Sequence, residues 1–180
     1  MAKRILIIQG HPDPDRARFG YRLAEAYKDS ATENGNEVRE AIVADIDFPL
    51  LRNKDAFYKG HAPPELVPYQ ELIRWCDHLV IFYPLWLGTM PALLKGFFEQ
   101  VIRPDFAFEE AGNNKWPRKL LAGKSARVVV TMGMPGFVYR WFYRAHSLKS
   151  LQRNILVLRQ GNNDGFSVPR SNRPLGATRR

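Results

Sequence analysis

The sequence predicts an α/β domain, a doubly wound parallel sheet with helices on both faces. Short apolar runs rich in strand-forming residues alternate with longer segments whose apolar residues recur at helical spacing, and the alternation repeats at least four times. The apolar run over residues 5–8 is unbroken, as expected for a strand buried on both faces. Right-handed crossovers between the strands follow from this arrangement.

The individual elements follow from the same periodicities. Gly35 is well placed as the C-cap of the first helix. Pro84 ends the third strand because it has no backbone N–H, and Pro91 starts the next helix with Thr89 as its N-cap. We expect an irregular segment over residues 47–64. We expect a short extended piece over residues 106–108. The predicted strands are 3–9, 37–44, 79–83, 126–133 and 155–158, and the predicted helices are 17–33, 65–75, 91–101 and 139–152.

Composition limits the classes of protein to consider. The 180 residues, 45% of them hydrophobic, suffice for one domain with a full core. No apolar run of about 18 residues occurs, and the four-residue run over 5–8 is too short for the roughly 7–15 apolar residues of a secretory leader. The single cysteine, Cys76, is typical of a reducing cytoplasm, which is the predicted location. The histidines are scattered without ligand spacing, so no metal site is predicted.

The positive charge is concentrated in the last part of the chain. Residues 151–180 hold six arginines and one aspartate, which is five of the nine excess positive charges. The remainder is only mildly basic, and we therefore predict no nucleic-acid partner. Residues 157–180 are rich in Arg, Asn, Pro and Gly, a composition that cannot bury a helix face. We accordingly expect a domain over 1–156 and a basic tail over 157–180.

Unusual loops follow three of the predicted strands, after Gln9, Tyr83 and Thr131. In a doubly wound sheet these loops open on the same edge, where ligands bind. The first loop places Arg16 and Arg18 at the start of a helix, whose free N–H groups and dipole attract phosphate. It lacks the G-x-G-x-x-G fingerprint and a Walker lysine, which argues against nucleoside triphosphate chemistry.

The other two loops favour a planar ligand. The second, "PLWLG", exposes a tryptophan on which a flat ring can stack. The third, "TMGMPGFVY", has two glycines that let the backbone approach a ligand, and Tyr139 can donate or accept a hydrogen bond. Each feature alone is also compatible with ordinary surface or core packing. Their joint placement favours a flavin nucleotide.

The motifs "GHPDP", "FYPLWLGTMPALLKGFFEQV" and "VTMGMPGFVYRW" closely resemble the flavodoxin-like NAD(P)H:quinone oxidoreductases, the group of DT-diaphorase and the bacterial modulators of drug activity. The resemblance covers roughly residues 3–156. It implies a flavodoxin-like five-stranded sheet and a two-step reaction in which NAD(P)H reduces a bound FAD or FMN and a quinone then accepts two electrons. FAD is expected from family habit, with FMN as the alternative. A homodimer is expected to build the pocket.

The resemblance also assigns positions around the flavin. It implies that His11, Arg18 and Phe19 lie beside the phosphate and ribityl chain. The residues expected along the isoalloxazine edge are Pro84, Leu85, Trp86, Leu87 and Gly88. The residues expected to wall its other side are Thr131, Met132, Gly133 and Met134. Two catalytic residues are implied: Tyr139, which also contacts the cofactor in the nicotinamide and quinone pocket, and His146, which assists proton movement.

Three other functions remain open from the sequence. One is a related flavoenzyme acting on azo compounds or free flavin, and another is a flavin-binding accessory protein that docks on a membrane transporter. The third is a degenerate protein without cofactor, because relatives typically continue with an apolar fifth strand and a final helix where residues 157–180 have neither pattern. A frameshift or truncation is the hypothesis that accounts for this tail. Docking of the basic, aromatic segment after Tyr139 on a membrane surface is a weaker alternative to ordinary packing.

Overall fold

The computed structural model describes residues 2–109, 118–119, 123–136, 141, 144 and 146–151. Its strands are β1 (Arg4–Gln9), β2 (Glu37–Ile42), β3 (His78–Pro84), β4 (Phe108–Glu109), β5 (Arg118–Lys119) and β6 (Ser125–Thr131). Its helices are α1 (Phe19–Glu33), α2 (Lys54–Lys59), α3 (Val67–Trp75), α4 (Ala92–Val101), α5 (Pro104–Ala107) and a further helix over His146–Ser150, with 3-10 turns over Val43–Asp45 and Pro64–Leu66.

Four parallel strands form the main sheet, in the order β2-β1-β3-β6. The chain moves outward from β1 to β2 and then crosses back to β3, so the strand order reverses between β1 and β3. A crevice at such a reversal, outside the carboxyl ends of the strands, is where open α/β sheets bind ligands. The predicted doubly wound parallel sheet is confirmed for these four strands. The predicted fifth strand over 155–158 and the tail over 157–180 lie outside the described residues.

Core side chains fill both faces of the sheet because successive strand residues point to opposite sides. Ile5 and Ile7 of β1 pack with Ala24 of α1 on one face. Leu6 and Ile8 belong to the larger cluster on the other face. That cluster takes its buried helix residues chiefly from α3 and α4, among them Ile73, Leu94, Phe97 and Phe98.

The helix α2 lies in a segment predicted to be irregular, so that prediction is wrong there. No residue of α2 is buried. A helix without a buried face needs no apolar periodicity, and its sequence therefore did not indicate a helix. Polar contacts hold it instead: the Asn53 side chain accepts a hydrogen bond from the Ala56 N–H at 2.7 Å. At the other end the buried Arg103 guanidinium donates to the carbonyls of Ala56 and Gly60.

Two further predictions need correction. Residues 104–107 are helical, so the extended piece predicted over 106–108 begins only at Phe108. The helix after Pro91 begins as predicted, but Thr89 does not cap it, because Thr89 pairs with Trp86 in the preceding turn. Of the helix predicted over 139–152, the described part includes a helix over His146–Ser150. Within the described ranges no helix is both long and apolar enough to cross a membrane.

Asp77 joins β1 to β3 at the amino ends of these strands. Its carboxylate accepts hydrogen bonds from the Arg4 backbone N–H at 3.1 Å and from the Arg4 guanidinium at 2.7 Å, and its own N–H donates to the Arg4 carbonyl at 2.8 Å. The guanidinium, followed by the Arg4 backbone N–H, holds the pKa of the Asp77 carboxyl well below its ordinary value of 3.8.

We expect Asp77→Asn to lower the free energy of unfolding at pH 7 and to have progressively less effect below about pH 4. A carboxyl group whose folded pKa is depressed contributes stability above its unfolded pKa and loses that contribution as the pH falls through the folded value. Urea unfolding of both proteins from pH 7 to pH 2.5 measures this. Asp55→Asn is the control, because its pair with Lys59 is 79% exposed on both sides and such pairs contribute about 0–1 kcal/mol. A deficit that stays constant over the pH range contradicts the prediction.

Candidate functional site

Three loops meet at the carboxyl edge of the sheet: the first loop (residues 10–18), the second loop (residues 85–90) and the third loop (residues 132–136). The Leu85 N–H donates to the Thr131 carbonyl at 2.8 Å, which joins the second loop to the strand end that begins the third. The Trp86 ring lies edge-on to His11, with ring centroids 6.0 Å apart and planes at 80°. The structure therefore brings together the loops that the sequence predicted to converge.

Asp13 organises the first loop. Its N–H donates to His11 Nδ1 at 3.0 Å, and its carbonyl accepts from the Tyr21 hydroxyl at 3.1 Å. Its carboxylate accepts the Asp15 N–H at 2.9 Å through Oδ1 and contacts the Arg18 guanidinium at 2.6 Å through Oδ2. Local side-chain-to-backbone bonds of this kind fix a loop without any core packing. The loop is thus held in a defined shape against α1.

The two arginines of the first loop have different surroundings. Arg16 pairs with Asp45 at 2.5 Å and lies 4.7 Å over the ring of Tyr21, in the first turn of α1. Arg18 is the N-cap residue of α1, and its half-exposed guanidinium lies between Asp13 and, at 3.5 Å, Asp15. No side chain makes a capping hydrogen bond at this helix start. Arg18 is therefore the arginine placed to meet an anion there.

Gln9 is a residue of the site that the sequence analysis missed. It is the last residue of β1 and is 1% exposed. Its Oε1 accepts the His11 N–H at 3.3 Å, while its Nε2 is buried and has no hydrogen-bond partner among the described residues. An unmet buried donor costs about 1–3 kcal/mol. A lone amide at the end of an otherwise apolar strand was the available signal.

The second loop contains a strained turn. Trp86 and Thr89 exchange backbone hydrogen bonds at 2.9 and 3.0 Å, and the two residues between them have positive φ, 46° at Leu87 and 80° at Gly88. This is the pattern of a type I′ turn, which suits glycine but not leucine. A left-handed backbone costs a residue with a side chain about 1–2 kcal/mol. The Leu87 side chain is also fully exposed and Trp86 is 49% exposed, so protein packing does not repay that strain.

The strand ends and the third loop supply the other predicted residues. Pro84 is buried at the end of β3, level with the half-buried Thr131 of β6. Met132 and Met134 pack against the core cluster. Gly133 is exposed, and no atom of the described residues lies within 4 Å of where a Cβ would be. Gly133 is therefore the residue of this loop that leaves open space beside the edge.

Three further predicted site residues have different positions relative to the three loops. Phe19 is 41% exposed at the first residue of α1. His146 is exposed on the helix over His146–Ser150, and none of the hydrogen bonds, ion pairs or ring contacts of the described residues joins it to the three loops. Tyr139 lies outside the described residues. The catalytic roles of Tyr139 and His146 stay predictions.

Burial controls the charge of His11. It lowers the pKa of the imidazole below 6.5, and the neighbouring Asp13 carboxylate only partly opposes this. Because Nδ1 accepts the Asp13 N–H, the neutral ring carries its proton on Nε2. The pKa of Asp13 itself is lowered, first by the hydrogen bond from the Asp15 N–H and also by Arg18. The first loop thus combines a neutral imidazole with an ionised carboxylate.

A cavity of about 260 Å³ lies away from the three loops, between α3 and the segment after α2. Its buried cation is Arg103, whose three guanidinium nitrogens all donate to oxygens of Ala56, Gly60 and Gln100. These bonds belong to the fold, since they hold the end of α2. The loop edge of the sheet, with its unmet donor and exposed aromatic ring, is the better candidate site.

The comparisons with known proteins concern the family to which this fold belongs. The family described as flavodoxin-like fold matches residues 3–157, as the motifs predicted. The NAD(P)H dehydrogenase [quinone] 1 of Rattus norvegicus is 26% identical over 157 residues, covering 76% of this chain and 56% of that protein. The solved structure of Smu.1420 from Streptococcus mutans UA159 is 30% identical, with a TM-score of 0.65 over 85% of this chain and 79% of that one.

A third relative matches a shorter stretch. The glutathione-regulated potassium-efflux system ancillary protein KefG of Cronobacter sakazakii (strain ATCC BAA-894) is 41% identical over 71 residues, covering 39% of this chain and 35% of that protein. The chain also spans little more than half the length of the rat relative, 56%. Neither likeness extends over the whole of the related protein.

We expect the stability of the wild type to fall relative to that of His11→Asn as the pH drops below about 6.5. The folded pKa of His11 is lowered, so the neutral ring stabilises the fold above its unfolded pKa, and this contribution is lost as the pH falls through the folded value. Asparagine keeps an acceptor for the Asp13 N–H but does not titrate. Urea unfolding of both proteins at pH 8, 6.5 and 5 gives the comparison. Parallel stability curves for the two proteins contradict a lowered pKa of His11 in the folded state.

Proposed function

We propose that this chain, which belongs to the flavodoxin-like fold family, is a flavin-dependent NAD(P)H:quinone oxidoreductase. The observation that carries the proposal is the convergence of the three loops at the carboxyl edge of the sheet, with Leu85 bonded to Thr131 and Trp86 against His11. A flavin bound there supplies the chemistry, accepting a hydride from NAD(P)H and passing two electrons to a quinone. The protein binds it, orients it and sets the charge around it.

The first loop fits the polar end of a flavin nucleotide. The start of α1 has no capping side chain, the guanidinium of Arg18 lies beside it, and the neutral His11 carries its ring proton on Nε2. Helix N–H groups and an arginine are the donors that phosphate prefers. The buried Nε2 of Gln9 adds a donor that lacks an acceptor among the described residues. We assign His11, Arg18 and Phe19 to this end of the cofactor.

The second and third loops fit the flat end. Trp86 and Leu87 present exposed aromatic and aliphatic surface, and Gly133 leaves the backbone open to close approach. A planar ring that covers this surface repays the strain at Leu87 by contacts the isolated turn lacks. We assign to the ring the edge from Pro84 to Gly88 and the wall from Thr131 to Met134.

The substrates and the assembly are part of the proposal. NAD(P)H and a quinone are suggested by the name of the rat relative, of which the matched region is 56%. FAD as the flavin, FMN as the alternative, and a homodimer in which both chains build the pocket rest on the family resemblance of the motifs. Tyr139 is proposed to face the nicotinamide and the quinone. His146 is proposed to assist proton movement.

A second function is favoured by a specific observation. The 71-residue match at 41% identity is to an ancillary protein of a potassium-efflux system. A flavin-binding accessory protein that docks on a membrane transporter is therefore the competing proposal. It requires the same flavin site but not quinone reduction.

The decisive experiment combines cofactor identity with turnover. We expect the purified full chain, supplied with FAD and FMN, to become yellow and to release one flavin whose mass identifies it. We then expect NADH or NADPH oxidation that depends on added menadione. Flavin binding without quinone-dependent oxidation, together with copurification with membranes, favours the accessory protein. A chain that binds no flavin overturns both functions and supports the degenerate protein.

We expect Trp86→Ala to weaken FAD and riboflavin binding alike, by about ten-fold, because ring contacts of this kind contribute about 0.5–1.5 kcal/mol beyond the area they bury. Trp86→Phe should retain most of the affinity. Trp141→Ala is the matched control, since Trp141 is 91% exposed and lies outside the three loops. Quenching of flavin fluorescence on titration with each protein measures the dissociation constants. Equal affinities for Trp86→Ala and Trp141→Ala contradict the placement of the ring.

A further inference from the structure

We propose that Asp13 is a specificity-determining residue of the flavin site, an internal competitor that occupies Arg18 and must release it to the phosphate of the ligand. The inference deepens the proposed function and rests on it. It concerns the choice between ligands with and without a phosphate group. Contacts with the flavin ring cannot make this choice, because both kinds of ligand carry the same ring.

The geometry of the pair is that of a carboxylate in the place of an anionic ligand. Asp13 Oδ2 lies 2.8 Å from Arg18 Nε and 2.6 Å from an Arg18 terminal nitrogen, so one oxygen engages the side of the guanidinium that a phosphate oxygen prefers. Asp15 adds a second carboxylate at 3.5 Å. A phosphate that approaches Arg18 therefore meets two like charges at short range, and it gains the arginine only as Asp13 gives it up.

The competing contact is separable from the rest of the loop. Asp13 uses its backbone N–H for His11, its carbonyl for Tyr21 and its Oδ1 for the Asp15 N–H. Only Oδ2 is given to Arg18. An asparagine at this position retains both backbone bonds and an Oδ1 acceptor, and it removes the negative charge from the arginine. The substitution Asp13→Asn therefore isolates the competition.

Gln9 gives an independent reason to expect movement of the first loop toward an anion. Its carboxamide is 1% exposed and accepts the His11 N–H, but its Nε2 has no acceptor among the residues that the structure describes. A buried donor without an acceptor is unfavourable. A shift of the loop that brings an acceptor to Nε2 is therefore favoured, and release of Arg18 by Asp13 leaves the other bonds of the loop in place for such a shift.

The test compares FMN with riboflavin, which differ by the phosphate alone. Dissociation constants are measured by flavin fluorescence for the wild type, Asp13→Asn, Arg18→Met and the double variant. We expect Asp13→Asn to tighten FMN binding about five- to ten-fold relative to riboflavin, and to do so less as ionic strength rises. In the Arg18→Met background the same change should have no effect on the ratio.

Asp45→Asn is the matched control. Asp45 pairs with Arg16 at 2.5 Å with similar exposure, so its substitution removes the same charge next to the neighbouring arginine. It should leave the FMN-to-riboflavin ratio within about two-fold of the wild type, since Arg16 lies over the Tyr21 ring and is not the arginine assigned to the phosphate. Thermal unfolding of each variant confirms that the compared proteins are folded. An unchanged or weakened FMN preference in Asp13→Asn overturns the proposal, because the carboxylate then prepares Arg18 for the phosphate or plays no part.

Failure of the proposed function is distinguishable from failure of this inference. Absence of flavin binding by the wild type removes the proposed function, and inorganic phosphate then becomes the probe. Greater thermal stabilisation of Asp13→Asn than of the wild type by phosphate, abolished in the Arg18→Met background, supports the competition. Equal stabilisation of the two proteins overturns it.

Discussion

The site depends on the parallel register of β3 between β1 and β6. Gln9 of β1 is level with Phe82, and Pro84 is level with Thr131, so the three strands end within two residues of one another along the sheet. The bond from Leu85 to Thr131 extends this ladder by one step into the loops. A slip of one residue in β3 would turn its buried side chains to the opposite face, and the core on both faces forbids it. The packing of the core thereby fixes where the three loops begin along the strand direction.

The second loop shows where that rigid frame stores strain. The turn from Trp86 to Thr89 has two residues with positive φ, and the first of them is a leucine that is fully exposed. Asparagine or glycine would satisfy the turn at lower cost. A strained backbone that presents an apolar side chain to water is destabilising twice over, and such features persist where a function requires them. The turn itself is therefore an argument for a ligand with a flat apolar surface.

The sequence predicted the frame better than the details of the site. The alternation of short strand-forming segments with helical segments located β1, β2, β3 and β6. The predicted topology then implied that the loops after β1, β3 and β6 lie at one edge of the sheet. It missed α2, which buries no residue and is held by Asn53 and Arg103 from outside the helix. The pattern of the first loop, without the family resemblance, also did not distinguish Arg16 from Arg18. The difference arises because Arg16 pairs with Asp45, which lies 29 positions away in the sequence. The amide of Gln9 at the end of an apolar strand was a signal in the sequence, but that its Nε2 has no hydrogen-bond partner among the described residues is visible only in the structure.

The positive charges of the first loop are nearly neutralised by neighbouring carboxylates, although the chain as a whole is strongly basic. Asp13 and Asp15 face Arg18, and Asp45 faces Arg16, so both arginines of the first loop have a carboxylate partner. The excess positive charge of the chain lies mostly in residues 151–180 instead. Attraction of an anion to the first loop is thus weaker than the net charge suggests, and the ring contacts of the second loop must supply more of the binding. Under the proposed competition, such a site would discriminate between ligands by how readily their phosphate displaces Asp13 from Arg18, and contacts with the uncharged surface of the second loop would supply most of the affinity.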